Sequence, residues 1–225
     1  MSLLPRTAEK LRSLPPDPQY SSLIFRSSFS YWKERHQRGL GASPGSQGHL
    51  AQFKASAINR FVKENGVFSV VDFGCGDGGQ LQLGEYPRYV GVDVAVDAIA
   101  SCRALFRDDP SKKFFRLDSK EQDGLECDMA LSLDVIYYLV EDGVFEAHMR
   151  RLTESATRFL CIYSSNVELP GHLLHIRHRC FSDWLDTNAP EWEPVKYIRN
   201  AFPYNPSAPR DTSWSDFYFF RKSCP

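Results

Sequence analysis

The stretch VVDFGCGDGGQL, residues 70–81, has closely spaced glycines directly after a β-branched run. Its glycines fit G-x-G-x-x-G at Gly74, Gly76 and Gly79, and they also fit acidic-x-G-x-G-x-G starting from Asp72. Glycines in such a loop allow a tight turn and let a ligand approach the backbone closely. The stretch therefore predicts a loop that binds a cofactor with an adenosine or phosphate group, without deciding which one.

Asp72 favours one class of cofactor. It precedes Gly74 by two residues, at the predicted end of a strand. A carboxylate there repels a pyrophosphate bound at a helix N-terminus. It suits a cofactor that carries an amino group and a sulfonium charge but no phosphate, and S-adenosylmethionine is such a molecule. A nicotinamide dinucleotide is the disfavoured alternative.

Acidic residues also end the next two strand-like runs. Asp93 ends YVGVD, about 20 residues after Gly74, which is the spacing at which an acidic side chain binds ribose hydroxyls. Both cofactor classes carry a ribose, so Asp93 does not separate them. Asp118 ends KFFRLD and has two equal interpretations: an acceptor for the amino group of adenine, or a solvated aspartate after a strand.

Strand-like runs alternate with helical patterns along most of the chain, which predicts βαβ units and a parallel sheet covered on both faces. The runs are VFSVVDF, RYVGVDV, KFFRLD, CDMALSLD, RFLCIYSS, EPVKYIRNAF and DFYFFRK. Helical patterns lie around residues 51–66, 96–106, 144–155 and 182–188, and the glycine loop is expected to turn into a helix. Only NPSAPRDTSWS separates the last two runs, which predicts a final antiparallel hairpin.

Three segments together resemble the motif series of the class I S-adenosylmethionine-dependent methyltransferases: VVDFGCGDGGQL, YVGVDV and CDMALSLDVIYYL. The resemblance covers roughly residues 66–225. It implies an α/β fold with a doubly wound seven-stranded sheet in the order 3-2-1-4-5-7-6, strand 7 antiparallel, flanked by helices. It also implies S-adenosylmethionine as the cofactor. The seven strand-like runs agree with this expectation.

The chain is expected to divide into an N-terminal arm and lid segment, residues 1–50, and a Rossmann-like methyltransferase domain, residues 51–225. The segment YWKERHQRGLGASPGSQGHL resembles N-terminal helical lids of some bacterial small-molecule methyltransferases. That resemblance implies that Tyr31, Trp32 and Arg35 cover the cofactor.

The resemblance also implies positions for the other cofactor-binding residues. Asp72, Gly74 and Gly76 surround the methionine part, Asp93 holds the ribose and Asp118 lies near the adenine. Asp134 and Val135 lie at the end of the fourth strand, close to both cofactor and acceptor. The predicted cofactor-binding set also includes Cys75 and Val94.

Asp134 is the leading candidate to orient or deprotonate a methyl acceptor. An equally weighted alternative is a loop carboxylate that caps the following VIYYL segment. The two other candidate bases are His178, in a histidine-rich loop, and His36, in the lid segment. The chain has LDVI where methyltransferases of nucleobase amino groups carry [D/N]-P-P-[Y/F], which argues against methylation of bases in DNA or RNA.

The histidine-rich loop, HLLHIRHR, contains His172, His175 and His178 with interleaved Arg177 and Arg179. Its alternatives are a solvated basic face, a site for an anion or the acceptor, and a metal site. The arginines and the lack of a nearby carboxylate pair weaken the metal alternative. No metal is therefore expected in the site.

Composition narrows the possible partners. The 225 residues carry a net charge of -1, so no overall basic field attracts nucleic acid. None of the six cysteines forms a C-x-x-C pair, and no stretch is long and apolar enough for a signal peptide or a membrane span. These features predict a cytoplasmic protein that binds neither nucleic acid nor membrane.

The predicted function is transfer of a methyl group from S-adenosylmethionine to oxygen or nitrogen of a small-molecule acceptor, for example a metabolite or a sugar. A protein or peptide methyltransferase is the alternative among methyltransferases. An NAD-dependent oxidoreductase and a partner protein that has lost turnover are the alternatives from other classes.

Overall fold

The computed structural model describes residues 25–41, 44–169 and 173–223. The described α-helices are α1 (Ser28–Gln37), α2 (Gly48–Glu64), α3 (Val96–Leu105), α4 (Asp142–Ser155) and α5 (Phe181–Asn188). The described strands are β1 (Ser69–Phe73), β2 (Arg88–Asp93), β3 (Lys112–Arg116), β4 (Cys127–Leu133), β5 (Ala156–Ser164), β6 (Trp192–Ile198) and β7 (Asp216–Lys222).

The strands form one sheet in the order β3-β2-β1-β4-β5-β7-β6. Strands β1 to β5 pair in parallel, and β7 runs antiparallel to both β5 and β6. The predicted strand order and the antiparallel final hairpin are therefore confirmed. Because the order reverses between β1 and β4, the carboxyl ends of these two strands flank the crevice in which such sheets bind ligands.

Helices cover both faces of the sheet, which is why the central strands are apolar along their length. Val70 faces the side covered by α2 and α3, whereas Val71 and Phe73 face the side covered by α4 and α5. Side chains alternate along a strand, so Asp72 faces the α2 side. This alternation directs the acidic side chain at the end of β1 towards α2.

The helix expected after the glycine loop is absent. Residues 74–87 connect β1 to β2 and contain a short 3-10 helix, Leu81–Leu83, instead of an α-helix. Helix α2, which precedes β1 in the chain, covers this part of the sheet instead.

The lid segment contains helix α1, which begins in a capping box formed by Ser27 and Ser30. The first turn of α1 is held by Glu141, the residue before α4. Glu141 accepts hydrogen bonds from the backbone N–H of Ser28, at 2.9 Å, and from the Ser28 hydroxyl. The N-terminal arm, residues 1–24, lies outside the described residues. Because α2 begins at Gly48, the predicted boundary at residue 51 lies inside that helix.

None of the described helices combines the length and the apolar character needed to cross a membrane.

Candidate active site

A cleft opens at the carboxyl ends of β1, β2 and β4, and α1 lies over it. Its lining includes, from the sequence-predicted set, Trp32, His36, Asp72, Gly74, Cys75, Gly76, Asp93, Val94, Asp134 and Val135. Its further lining residues include Lys54, Gln80, Leu117, Tyr138 and His148. The structure thus brings most of the predicted cofactor-binding residues together at one edge of the sheet.

Gly74 makes the sharp turn at the end of β1. Its φ is +97°, and a Cβ atom there would lie 2.4 Å from Cγ2 of Val135. The backbone N–H groups of Gly74 and Cys75 both donate to the carbonyl of Val92, at 2.7 and 3.2 Å. Only glycine combines this backbone conformation with so close an approach to the end of β4.

Two residues that line the cleft beside the glycine loop each carry a buried side-chain oxygen without a partner in the described chain. Tyr89 donates its hydroxyl to Oδ2 of Asp72 at 2.9 Å, while Oδ1 is buried and has no partner within the described chain. The side-chain nitrogen of Gln80 donates to the carbonyl of Ala51 at 3.1 Å, which leaves its buried Oε1 similarly unpartnered. Unsatisfied buried acceptors are costly, and a donor group of a ligand is one way to satisfy them.

Burial raises the pKa of Asp72 to about 7, although the Tyr89 hydroxyl and the charge of Lys54 oppose the rise. The carboxyl group is thus close to its titration point at neutral pH. A bound cation stabilises the ionised form and a bound anion opposes it.

Asp93 holds the glycine loop against β2. Its Oδ2 accepts the backbone N–H of Gly76 at 3.0 Å and its Oδ1 accepts that of Ala95 at 2.9 Å. Burial raises its pKa, whereas these hydrogen bonds and the nearby His36 lower it. Asp93 thus shapes the loop as well as lining the cleft.

Asp118 lies elsewhere. Its side chain is exposed, is paired with Arg116 and does not line the cleft. The preceding residue, Leu117, lines the cleft instead. Asp118 is therefore a solvated aspartate after a strand, which is the second of its two interpretations.

Asp134, at the end of β4, is the centre of a buried polar network. It has a left-handed φ of +58°, which aspartate tolerates better than most residues. Its Oδ2 accepts from the Lys54 ammonium at 2.9 Å, and its Oδ1 accepts from the hydroxyls of Tyr137 and Ser215, each at 2.9 Å. Tyr137 donates through its side-chain hydroxyl and not through a backbone N–H, so this contact is not the cap of the following segment that the alternative interpretation expects.

Comparison with protein-family models gave no match, and no curated protein matches the sequence. Solved structures do match. The chain is similar to the N-methyltransferase NodS from Bradyrhizobium japonicum WM9 in complex with S-adenosyl-L-homocysteine, with a TM-score of 0.65 and 12% identity, over 85% of this chain and 98% of NodS. The chain has the class I methyltransferase fold.

Two further structures have the class I methyltransferase fold and match over most of their length. Magnesium protoporphyrin IX methyltransferase from Synechocystis PCC 6803, with bound S-adenosylmethionine, gives a TM-score of 0.62 at 14% identity and covers 90% of this chain and 100% of its own. The methyltransferase domain of bacterial CtHen1-CN matches with a TM-score of 0.55 and 16% identity, over 76% of this chain and 98% of that domain.

The lid segment contains four predicted site residues, the covering residues Tyr31, Trp32 and Arg35 and the candidate base His36, and the structure separates them into two pairs. Trp32 and His36 line the cleft. Tyr31 is buried and stacks on His175 with ring centroids 4.3 Å apart, and Arg35 donates to the carbonyl of Gly41 at 3.0 Å. Tyr31 and Arg35 therefore hold the lid to its surroundings and do not reach the cleft.

Neither of the two described histidines of the histidine-rich loop, His175 and His178, lines the cleft. His178 is 1% exposed, its Nδ1 pairs with the Ser165 hydroxyl at 2.8 Å, and its ring packs against Tyr137 and Trp214. His172 lies outside the described residues.

The arginines of that loop are engaged in ion pairs. Arg177 and Arg179 both pair with Asp142 at the start of α4. Across the described residues, no group of three potential metal ligands is found.

Lys54 and His148 are two of the cleft residues that the sequence analysis did not predict. Lys54 is fully buried on α2, and His148 lies on α4 with its Nε2 paired to the Ser132 hydroxyl at 2.8 Å. Burial lowers the pKa of His148 to about 4, so its ring is neutral at pH 7. Both residues occur at core-facing helical positions: Lys54 lies four residues before Ile58, and His148 lies four residues before Leu152. A polar residue within such an apolar stripe is the sequence signal that identifies them.

Proposed function

We propose that this protein is an S-adenosylmethionine-dependent methyltransferase with a small-molecule acceptor. The observation that carries the proposal is the pair of buried acceptors, Asp72 Oδ1 and Gln80 Oε1, beside the glycine loop. Two unpartnered oxygens, one on a carboxylate, fit the ammonium group of an amino acid. The absence of a Cβ at Gly74 leaves room for close approach along the loop.

The remaining cofactor contacts follow from the cleft lining. Asp93, Val94 and Leu117 line the cleft, which supports ribose binding by the first two, at the end of β2, and an apolar contact of Leu117 with the adenine. Trp32 and His36 of α1 cover the bound molecule and exclude water. The cofactor supplies an activated methyl group, and the protein contributes binding, alignment of the acceptor and exclusion of solvent.

The covered cleft supports a small acceptor over a protein or peptide. Helix α1 lies over the cleft and is fastened by Glu141 and by the stacking of Tyr31 on His175. A polypeptide acceptor needs an open groove, which this arrangement restricts. Methylation on oxygen or nitrogen of a metabolite-sized molecule in the cytoplasm, without nucleic acid or membrane as a partner, is the resulting proposal.

An NAD-dependent oxidoreductase is the competing function, because it also uses a glycine loop and an acid like Asp93. A pyrophosphate placed beside Asp72 leaves the buried Oδ1 without a donor and opposes a negative charge. Calorimetry with S-adenosylhomocysteine and with NAD separates the two functions. We expect saturable binding of S-adenosylhomocysteine only, and binding of NAD alone would overturn the proposal.

Matched variants test the ammonium contact. Gln80→Ala removes one of the two acceptors, whereas Gln82→Ala changes an exposed glutamine in the same segment. We expect affinity for S-adenosylhomocysteine to fall about tenfold in Gln80→Ala, from loss of a hydrogen bond to a charged group, and to stay unchanged in Gln82→Ala. Equal affinities of the two variants would contradict the assignment.

A further inference from the structure

Lys54 places a buried positive charge in the cleft, beside Asp134 at the end of β4. Its side chain is 1% exposed, and its Nζ lies 2.9 Å from Oδ2 of Asp134 and 3.5 Å from the Ser46 hydroxyl. The face of the Tyr163 ring lies 5.5 Å from the same nitrogen. The Lys54 ammonium group has three N–H donors. Within the described chain it makes two hydrogen bonds, to Asp134 and to Ser46, which leaves one N–H for a ligand.

Asp134, in contrast, is heavily engaged. Both of its oxygens already accept hydrogen bonds, from Lys54 on one side and from Tyr137 and Ser215 on the other. Removing a proton from an acceptor would require Asp134 to share or lose one of these bonds. The network is therefore better suited to orient Lys54 than to act as a base.

The charge of Lys54 also reaches Asp72, whose pKa it lowers, whereas the two histidines of the cleft make their described contacts elsewhere. His36 is close enough to Asp93 to lower its pKa, which places it at the ribose end. His148 is bonded to Ser132 and its pKa is about 4. Lys54 is thus the charged group that accompanies Asp134 where the fourth strand ends.

We infer, on the basis of the proposed methyltransferase function, that Lys54 binds an anionic oxygen of the acceptor, a carboxylate or an ionised phenol. The acceptor oxygen donates an electron pair to form the new O–C bond. The S–C bond breaks, with its pair going to sulfur, and no proton is transferred. The oxygen anion and the sulfonium cation both become neutral, so the product is a methyl ester or a methyl ether.

An amine acceptor fits this site less well. At neutral pH an alkyl amine is protonated, so it meets a like charge at Lys54 and must also lose a proton before it can react. An anionic oxygen requires neither step, and its charge is balanced by the ammonium.

The test measures binding of benzoate and of benzylamine, which share a ring and differ in charge, to the protein saturated with S-adenosylhomocysteine. Isothermal calorimetry at pH 7.5 is applied to the unchanged protein, Lys54→Met, Asp134→Asn and the double variant. The double variant removes both partners of the ion pair and so avoids a buried unpaired charge. Binding of S-adenosylhomocysteine by each variant shows that it is folded.

We expect benzoate to bind the unchanged protein and benzylamine not to bind. Benzoate affinity should fall about tenfold in Lys54→Met and in the double variant, because a charge-assisted hydrogen bond is lost. In Asp134→Asn it should rise, since Lys54 keeps its charge but loses its carboxylate partner. A purely structural role of Lys54 does not produce this opposite sign.

Three outcomes would overturn the inference: benzylamine binding as well as benzoate, benzoate affinity that does not depend on Lys54, or no benzoate binding at all. Each leaves the proposed function standing as long as S-adenosylhomocysteine binds. Failure of the unchanged protein to bind S-adenosylhomocysteine would instead refute the proposed function itself.

Discussion

At the scale of single residues, environment changes what an acidic side chain can do. Asp72, Asp93 and Asp118 all occur near the ends of strand-like runs, yet their surroundings differ. Asp72 has a buried oxygen without a partner in the described chain, Asp93 accepts hydrogen bonds from two backbone N–H groups, and Asp118 is exposed and paired with Arg116. The residue type predicts a polar contact in each case. The partner depends on which way the pleated strand directs the side chain and on what packs against it.

Cofactor binding should depend on pH through Asp72. Its pKa of about 7, raised by burial, means that the carboxyl is protonated below pH 7 and ionised above it. A ligand ammonium prefers the ionised form, so affinity for S-adenosylhomocysteine should rise by up to tenfold per pH unit below pH 7 and level off above it. Calorimetry between pH 5.5 and 8.5 measures the profile. In Asp72→Asn we expect weaker binding and a flat profile, and an unchanged slope would exclude Asp72 as its source.

Gly74→Ala should disrupt the glycine loop. The added Cβ would lie 2.4 Å from Val135 Cγ2, at a φ of +97° that alanine rarely adopts. We expect a loss of stability of roughly 2 kcal/mol and weaker binding of S-adenosylhomocysteine. Urea denaturation and calorimetry measure the two effects. Val135→Ala in the same chain removes the clash but keeps the backbone strain, so it should restore only part of the loss; full recovery would mean that φ at this position is unimportant.

At the scale of elements, the strands and four of the helices follow from local patterning. The predicted helical ranges 51–66, 96–106, 144–155 and 182–188 correspond to α2, α3, α4 and α5. The expected helix after the glycine loop was wrong, because this connection forms only the short 3-10 helix Leu81–Leu83 and α2 covers that part of the sheet. The lid was predicted as an element, but which of its residues face the cleft depends on how α1 rests on the residues around it.

Glu141 should control how firmly α1 closes the cleft. It accepts two hydrogen bonds from Ser28 and so supplies partners for the start of the helix. Glu141→Ala should weaken binding of S-adenosylhomocysteine about fivefold, from a loss of roughly 1 kcal/mol, and speed hydrogen exchange across residues 28–37. Glu146→Ala, on the exposed face of α4, is the matched control. Identical exchange in the two variants would show that Glu141 does not fasten the lid.

At the scale of the whole molecule, the cleft joins elements from both faces of the sheet. Helix α2 contributes Lys54 from one face and α4 contributes His148 from the other, while the strand ends between them supply the acidic residues. Occupying the cleft should therefore stabilise the described fold as a unit.

Ligand binding should raise the melting temperature. A ligand at 100 times its dissociation constant stabilises the folded state by about 2.7 kcal/mol. For a chain of this size that corresponds to an increase of about 5 to 10 °C. Differential scanning calorimetry with S-adenosylhomocysteine measures the shift, and NAD at the same concentration should leave the melting temperature unchanged. A shift with NAD equal to that with S-adenosylhomocysteine would contradict the proposed cofactor.

The sequence by itself determined the seven strands, their order by resemblance, and the position of the glycine loop with Asp72 and Asp93 at adjacent strand ends. The strands and the glycine loop depend on patterns within a few residues, where alternation and glycine content constrain the backbone directly, whereas the strand order came from the family resemblance alone. Only the tertiary structure decided that Lys54 meets Asp134, that His178 is enclosed away from the cleft, and that Trp32 rather than Tyr31 faces it. Lys54 and Asp134 are 80 positions apart, and their contact arises because α2 packs on the sheet face beside the end of β4, which no local pattern encodes.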